Sequence, residues 1–157
     1  MSLDFSVPGK GDFQIANVLF DLNGTLACDG IIAPPTRERL VALGQVLTLT
    51  VMSADTHGTL AEVTAGLPVR MERATGTLGA EAKRAFLVQL GASTTIAMGN
   101  GRNDAAMLEA AALGIAILGP EGCAREALLA ADLVFVRVDD ALDALLYPAR
   151  LVASLRG

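Results

Sequence analysis

Tryptophan is absent from this sequence, and tyrosine and histidine occur once each. Aromatic residues make up 4% of the chain while hydrophobic residues make up 52%, so any core must be built from Ala, Leu, Val and Ile. Cysteine is nearly as scarce. Cys28 and Cys123 stand alone, with no metal-type spacing and no basis for a disulfide framework, which makes a reducing cytoplasm the expected location. No apolar run approaches the length of a membrane span. The first residues show no basic region followed by an apolar block, so no signal peptide is expected. Positive charge is in deficit too: 12 Lys and Arg face 17 Asp and Glu, for a net charge of -5. Such an acidic chain is a poor partner for nucleic acid or an anionic membrane.

What is present is a long succession of aliphatic runs. A chain of 157 residues suits one domain, with its core expected over about residues 13–147. Mean hydropathy is +0.49, in keeping with a parallel sheet buried on both faces and with an apolar oligomer surface. Strands are expected at 15–21, 46–52, 68–72, 94–98, 115–118 and 133–138. Helices are expected at 35–44, 56–65, 81–90, 104–112, 124–131 and 140–147. No structure is assigned to the tail at 148–157. Regular alternation of strand and helix implies parallel strands with crossover helices, hence a doubly wound, Rossmann-like α/β sheet of about six strands.

Ligands of such sheets sit at the carboxyl ends of the strands. Polar residues gather at three of those ends. The first expected strand finishes in Asp21 and runs into Asn23, Gly24 and Thr25. The second is followed by Ser53, then Asp55 and His57. The fourth runs into GNGRND, which contains Asn100, Asn103 and Asp104. Asp21 and Asp104 are natural carboxylates for a divalent cation, which prefers oxygen ligands and a phosphate oxygen. The Ser53 hydroxyl and nearby backbone N–H groups suit phosphate oxygens, and Lys83 offers a fixed positive charge from a helix. Each residue has a plainer reading. Asp21 and Asn23 form turns readily, Asp104 suits a helix cap, Asp55 and His57 suit the start of the second helix, and Lys83 suits a solvated helix face.

Taken together, these segments resemble the motifs of the haloacid dehalogenase-like (HAD) superfamily. DLNGTL resembles the first motif, DxDGTL, and TVMSAD looks like the second, an apolar strand ending in Ser or Thr. Lys83 stands where the third motif's lysine is expected. AMGNGRNDAAML is similar to the fourth motif and to the GDGxNDAPAL of P-type ATPase phosphorylation domains. The resemblance spans about residues 15–120 and is nearest to capless, soluble P-type-ATPase-like members.

The resemblance implies a Mg²⁺-dependent phosphatase in which Asp21 is the nucleophile and forms an aspartyl-phosphate. It implies that Asp21, the carbonyl of Asn23, Asn100 and Asp104 hold the metal, and that Ser53, Lys83 and Asn103 hold the phosphoryl group. Two positions depart from the pattern. Asn23 replaces the Asp that exchanges a proton with the leaving group and with water, a loss of about 10²–10⁴ in rate. Asn100 replaces an Asp that binds the metal. The alternative is a non-catalytic or regulatory domain that binds Mg²⁺ or phosphate, for instance as a soluble partner of a P-type ATPase. The segments at 26–35 and 67–80 are too short for a cap domain. An open site of that kind implies a large phosphorylated substrate, or a homo-oligomer in which a neighbour acts as the lid.

Overall fold

The run NVLFD forms a strand, β3 (Asn17–Asp21), around which the rest of the molecule is laid down. Val18, Leu19 and Phe20 are fully buried, as a strand covered on both faces requires. The computed structural model describes residues 1–54, 59–74 and 79–157. Ahead of β3 lie β1 (Leu3–Val7) and β2 (Gly11–Ile15). After it come α1 (Pro34–Leu43), β4 (Thr48–Ser53), α2 (Thr59–Val63), β5 (Val69–Arg73), α3 (Gly79–Leu90) and β6 (Thr95–Gly99). The chain continues with α4 (Ala105–Ala110), β7 (Leu113–Ile117), α5 (Arg125–Ala130), β8 (Leu133–Phe135), α6 (Val138–Leu146) and α7 (Ala149–Leu155).

The main sheet has the strand order β5-β4-β3-β6-β7-β8, and all of its pairings are parallel. From β3 the chain winds outward to β5. It then returns to lay β6 along the other side of β3 and winds outward again to β8. The strand order therefore reverses between β3 and β6, which is where a doubly wound sheet opens a crevice at its carboxyl edge. Phe20 is in register with Met98, so Asp21 and the end of β6 emerge side by side at that edge.

Alternation along the strands divides the core in two. Val18 and Phe20 pack on one face with Leu40 of α1, Leu142 of α6 and Leu151 of α7. Leu19 packs on the other with Leu87 of α3, Met107 of α4 and Ala127 of α5. A bidentate pair from Arg39 Nε and Nη2 to the Asp143 carboxylate, at 2.7 and 3.0 Å, ties α1 to α6. Among the described residues no helix is long and apolar enough to cross a membrane.

The expected alternation is present, with four local differences. The expected first strand is two: Ile15 ends β2, and β3 begins at Asn17. Ala16 between them bonds through its own N–H to Thr94 and through its carbonyl to the N–H of Thr48. The antiparallel hairpin β1–β2 was not expected at all, although Leu3, Phe5 and Val7 alternate and Pro8-Gly9 marks a turn. Phe5 and Phe13 stack across it at 4.9 Å. The tail forms α7, which buries Leu151 and Leu155. Finally, β8 stops at Phe135 and α6 begins at Val138, with Asp139 and Asp140 in its first turn, where acidic groups suit the helix dipole. Residues 56–58 of the expected second helix lie outside the described residues.

Candidate active site

Asp21 is the last residue of β3, and its side chain has little access to solvent. Behind it stands Lys83, expected near the start of a helix but placed in the middle of α3. Lys83 shares a helix face with Leu87, four residues on, and both are completely buried against the sheet. The plainer expectation of a solvated lysine is thus overturned. Its Nζ donates to Asp21 Oδ1 at 2.6 Å and to Asp104 Oδ1 at 2.7 Å.

Asp104 lies at the end of a 3-10 turn, Arg102–Asp104, just before α4. Its second oxygen accepts from the backbone N–H groups of Asn100 at 3.1 Å and Gly101 at 2.9 Å. The carboxylate therefore caps its own turn and neutralises Lys83 at once. Gly99 makes room for it, because a Cβ there would come within 2.6 Å of the Asp104 side chain.

Two carboxylates share one ammonium, and the electrostatics follow. Burial, then the charge of Asp104, pushes the Asp21 carboxyl up to about 6 against the pull of Lys83 and the Thr25 hydroxyl. Burial also opposes the charge on Lys83, but the attraction of Asp21 and Asp104 outweighs it and raises the ammonium above its ordinary value. Lys83 thus stays charged, and Asp21 is the undercompensated partner.

Lys83→Met is accordingly expected to destabilise the protein by about 3–5 kcal/mol near neutral pH, because it strands buried carboxylates. Denaturant unfolding in EDTA should show the loss at pH 7.5 and a smaller one at pH 5, where Asp21 is largely protonated. A variant as stable as the wild type at pH 7.5 would refute this account of the buried cluster.

A cleft of about 210 Å³ opens at the carboxyl edge, lined by Asp21, Asn23, Ser53, Ala54, Asn100, Gly101 and Asn103. Of the residues expected to form the site, Asp21, Asn23, Ser53, Asn100 and Asn103 thus come together at its wall. Lys83 and Asp104 stand behind them. Asn23 is exposed at the rim, Ser53 is buried at the end of β4, and Asn103 sits in the 3-10 turn. The Thr25 hydroxyl lies 3.3 Å from Asp21 Oδ2 and 3.1 Å from Asn100 Oδ1. Asp55 and His57 lie outside the described residues. Among the described residues, no three His, Cys, Asp or Glu side chains cluster in a way that could hold a metal ion. Among the described residues, the oxygens on the cleft wall include those of Asp21 and of amide and carbonyl groups beside it. Sequence reasoning missed the segment 119–124, which reaches the site through Asn100; its Gly-Pro and Glu-Gly pairs after an apolar run were the available signal.

The same arrangement of strands and helices occurs in solved structures. A haloacid dehalogenase-like hydrolase from Bacteroides thetaiotaomicron matches over 85% of this chain and 99% of its own, with a TM-score of 0.58 and 12% identity. The 3-deoxy-D-manno-octulosonate 8-phosphate phosphatase of Moraxella catarrhalis, solved with magnesium, phosphate and the sugar acid, matches over 90% of this chain and 94% of its own. Its TM-score is 0.69 at 16% identity. This chain has the HAD-like fold. The cobalt-bound phosphatase for the same sugar phosphate from Haemophilus influenzae shares this HAD-like fold at a TM-score of 0.68 and 17% identity, over 85% of this chain and 88% of its own. In sequence, an uncharacterized protein of Methanocaldococcus jannaschii is 46% identical over 61 residues, which span 39% of this chain and 66% of that protein. No protein-family model matches. Between β3 and α1, residues 22–33 hold only turns and isolated bridges.

Proposed function

We propose that the protein is a Mg²⁺-dependent phosphohydrolase that acts on a phosphomonoester through an aspartyl-phosphate on Asp21. The observation that carries this reading is the placement of Asp21. It is a carboxylate at the end of the central strand, at the reversal of strand order, facing a polar cleft and backed by Lys83 at 2.6 Å. In the proposed reaction an Asp21 oxygen attacks phosphorus and the bond from phosphorus to the ester oxygen breaks. Water then cleaves the acyl-phosphate, returning the carboxylate and releasing inorganic phosphate. Ser53 and Asn103, both on the cleft wall, are assigned to the phosphoryl oxygens. Lys83 holds the charge of Asp21 from behind. The neighbours that act on a sugar-acid phosphate, one of them holding magnesium and phosphate, support the assignment.

The donor set fits magnesium. The groups on the cleft wall are hard oxygens: the Asp21 carboxylate, the carboxamide of Asn100 and, at the rim, the carbonyl of Asn23. Two buried carboxylates against one ammonium also leave a net negative charge to attract a cation. Asp104, just behind the wall, is assigned to the same cation, since its Oδ1 bonds only Lys83 and keeps a second lone pair. When bound, the ion would neutralise the phosphoryl oxygens and orient them toward Asp21.

The test is a screen of phosphomonoesters with Mg²⁺ at high protein concentration, comparing wild type with Asp21→Asn. Phosphate release that depends on Asp21 is expected, and release unchanged by the substitution overturns the reading. The amides at Asn23 and Asn100 favour a second reading, a regulatory domain that binds phosphate or Mg²⁺ without turnover. It takes over if no ester is hydrolysed while beryllium fluoride with Mg²⁺ still raises the melting temperature.

A further inference from the structure

Asn100 follows β6 directly and makes three bonds that reach away from that strand. Its Nδ2 donates to the Gly122 carbonyl at 3.1 Å. Its main-chain carbonyl accepts from the N–H of Ala124 at 2.7 Å. Its Oδ1 accepts from the Thr25 hydroxyl at 3.1 Å. Gly122 and Ala124 belong to the segment GPEGCA, residues 119–124, which leads from β7 toward α5. Thr25 belongs to the loop that follows Asp21. A single carboxamide thus lies between a strap and the loop of the nucleophile.

The packing around it is close. A Cβ on Gly24 would fall 2.2 Å from Asn100 Nδ2, and the φ of +80° at Gly24 is one that favours glycine. A Cβ on Gly119 would lie 3.6 Å from the Gly24 carbonyl. Further out, the Asp29 N–H donates to Glu121 Oε2 at 3.4 Å, so the same loop and strap meet a second time.

We propose that Asn100 is a latch, holding the 119–124 strap against the nucleophile loop by a bond that needs a side-chain donor at this position. A carbonyl can only accept, so the atom facing Gly122 must be a donor. That requirement fixes the orientation of the amide and leaves Oδ1 for Thr25. The Thr25 hydroxyl has one proton to share between Asn100 Oδ1 and Asp21 Oδ2, 3.3 Å away, so the latch sets where that hydroxyl sits and is a positioning residue for Asp21. A carboxylate in place of Asn100 would set an acceptor against the Gly122 carbonyl and loosen the strap, leaving the main-chain bond from Ala124. The amide that weakens a metal site therefore has a structural use of its own. The assignment stands whether or not the protein hydrolyses phosphoesters.

Two measurements in EDTA test it. In the wild type, NMR should detect a scalar coupling across the hydrogen bond from the Asn100 side-chain nitrogen to the Gly122 carbonyl carbon, a signature that packing alone does not produce. Separately, Cys123 on the strap is half-buried and can be labelled with a thiol reagent in a Cys28→Ser background. Asn100→Asp should speed labelling about tenfold or more, through local opening of the strap. Asn100→Ala, which removes the donor without adding charge, should speed it less. If Asn100→Asp does not fold, the coupling and Asn100→Ala decide the matter. Absence of the coupling, or labelling at the wild-type rate in the folded variants, overturns the proposal.

Discussion

Asn23→Asp is expected to raise the rate of phosphomonoester hydrolysis by up to about 10²–10⁴, the contribution usual for a positioned acid-base group. The reason lies in the chemistry of the side chain at the cleft rim. Once Asp21 has attacked, the ester oxygen leaves with negative charge and needs a proton; later a water must lose one. A carboxyl group serves both steps, and an amide serves neither. Asn23 is exposed and lines the cleft, so a carboxylate there would be hydrated and should change stability by no more than about 0.5 kcal/mol. The gain should therefore appear in turnover and not in folding. It should be larger for an alkyl phosphate, whose leaving group needs the proton, than for an aryl phosphate, whose leaving group scarcely does. Steady-state rates on one substrate of each kind would check this. A variant no faster on either, with its fold intact, would mean that proton transfer is not what limits this site.

The parts of this molecule that a sequence reveals are those that local chemistry determines. β3 was legible because five residues carry both the apolar run and its terminal carboxylate. The doubly wound parallel sheet followed from the alternation of elements, and with it the carboxyl edge at which to look; the strand order did not. The burial of Lys83 was not legible, because in sequence a lysine in a helix reads as solvated. Only the sheet packed against α3, and the two carboxylates at its edge, make the buried position tenable. The role of Asp104 was legible only in part. Its position before a helix pointed to a cap, which its bonds to two backbone N–H groups bear out, and its motif pointed to a metal; its tie to Lys83 was not foreseen. The strap at 119–124 was missed because its tie to Asn100 joins residues 22 apart through one side chain, and periodicity carries no trace of such a contact. The hairpin β1–β2 was missed for a different reason. Its alternation is present in the sequence but leaves several positions exposed, so it lacked the continuous apolar run that marked the other strands.

Asp21→Asn is expected to abolish turnover and, in metal-free buffer, to make the protein more stable. The two effects share one cause. An amide cannot form an acyl-phosphate, so no covalent intermediate arises. In the fold, Asp21 titrates at about 6, above the ordinary carboxyl value of 3.8, chiefly because burial penalises its charge. A carboxyl whose folded value exceeds its unfolded value lowers stability once it ionises. Below about pH 4 both states are protonated and the cost is absent; it grows between about pH 4 and 6 and is fully present above that. A gap of about two units corresponds to roughly 3 kcal/mol at neutral pH. Part of that gain is lost in the variant, because Lys83 gives up one of its two carboxylate partners and keeps only Asp104. A net gain of about 1–2 kcal/mol would raise the melting temperature by roughly 2–8 °C. Thermal scans of both proteins in EDTA at pH 7.5 and pH 4.5 measure it: the variant should lead clearly at the higher pH and by much less at the lower. Equal melting temperatures at pH 7.5, or a difference that does not vary with pH, would show that the buried charge of Asp21 is not held at the expense of the fold.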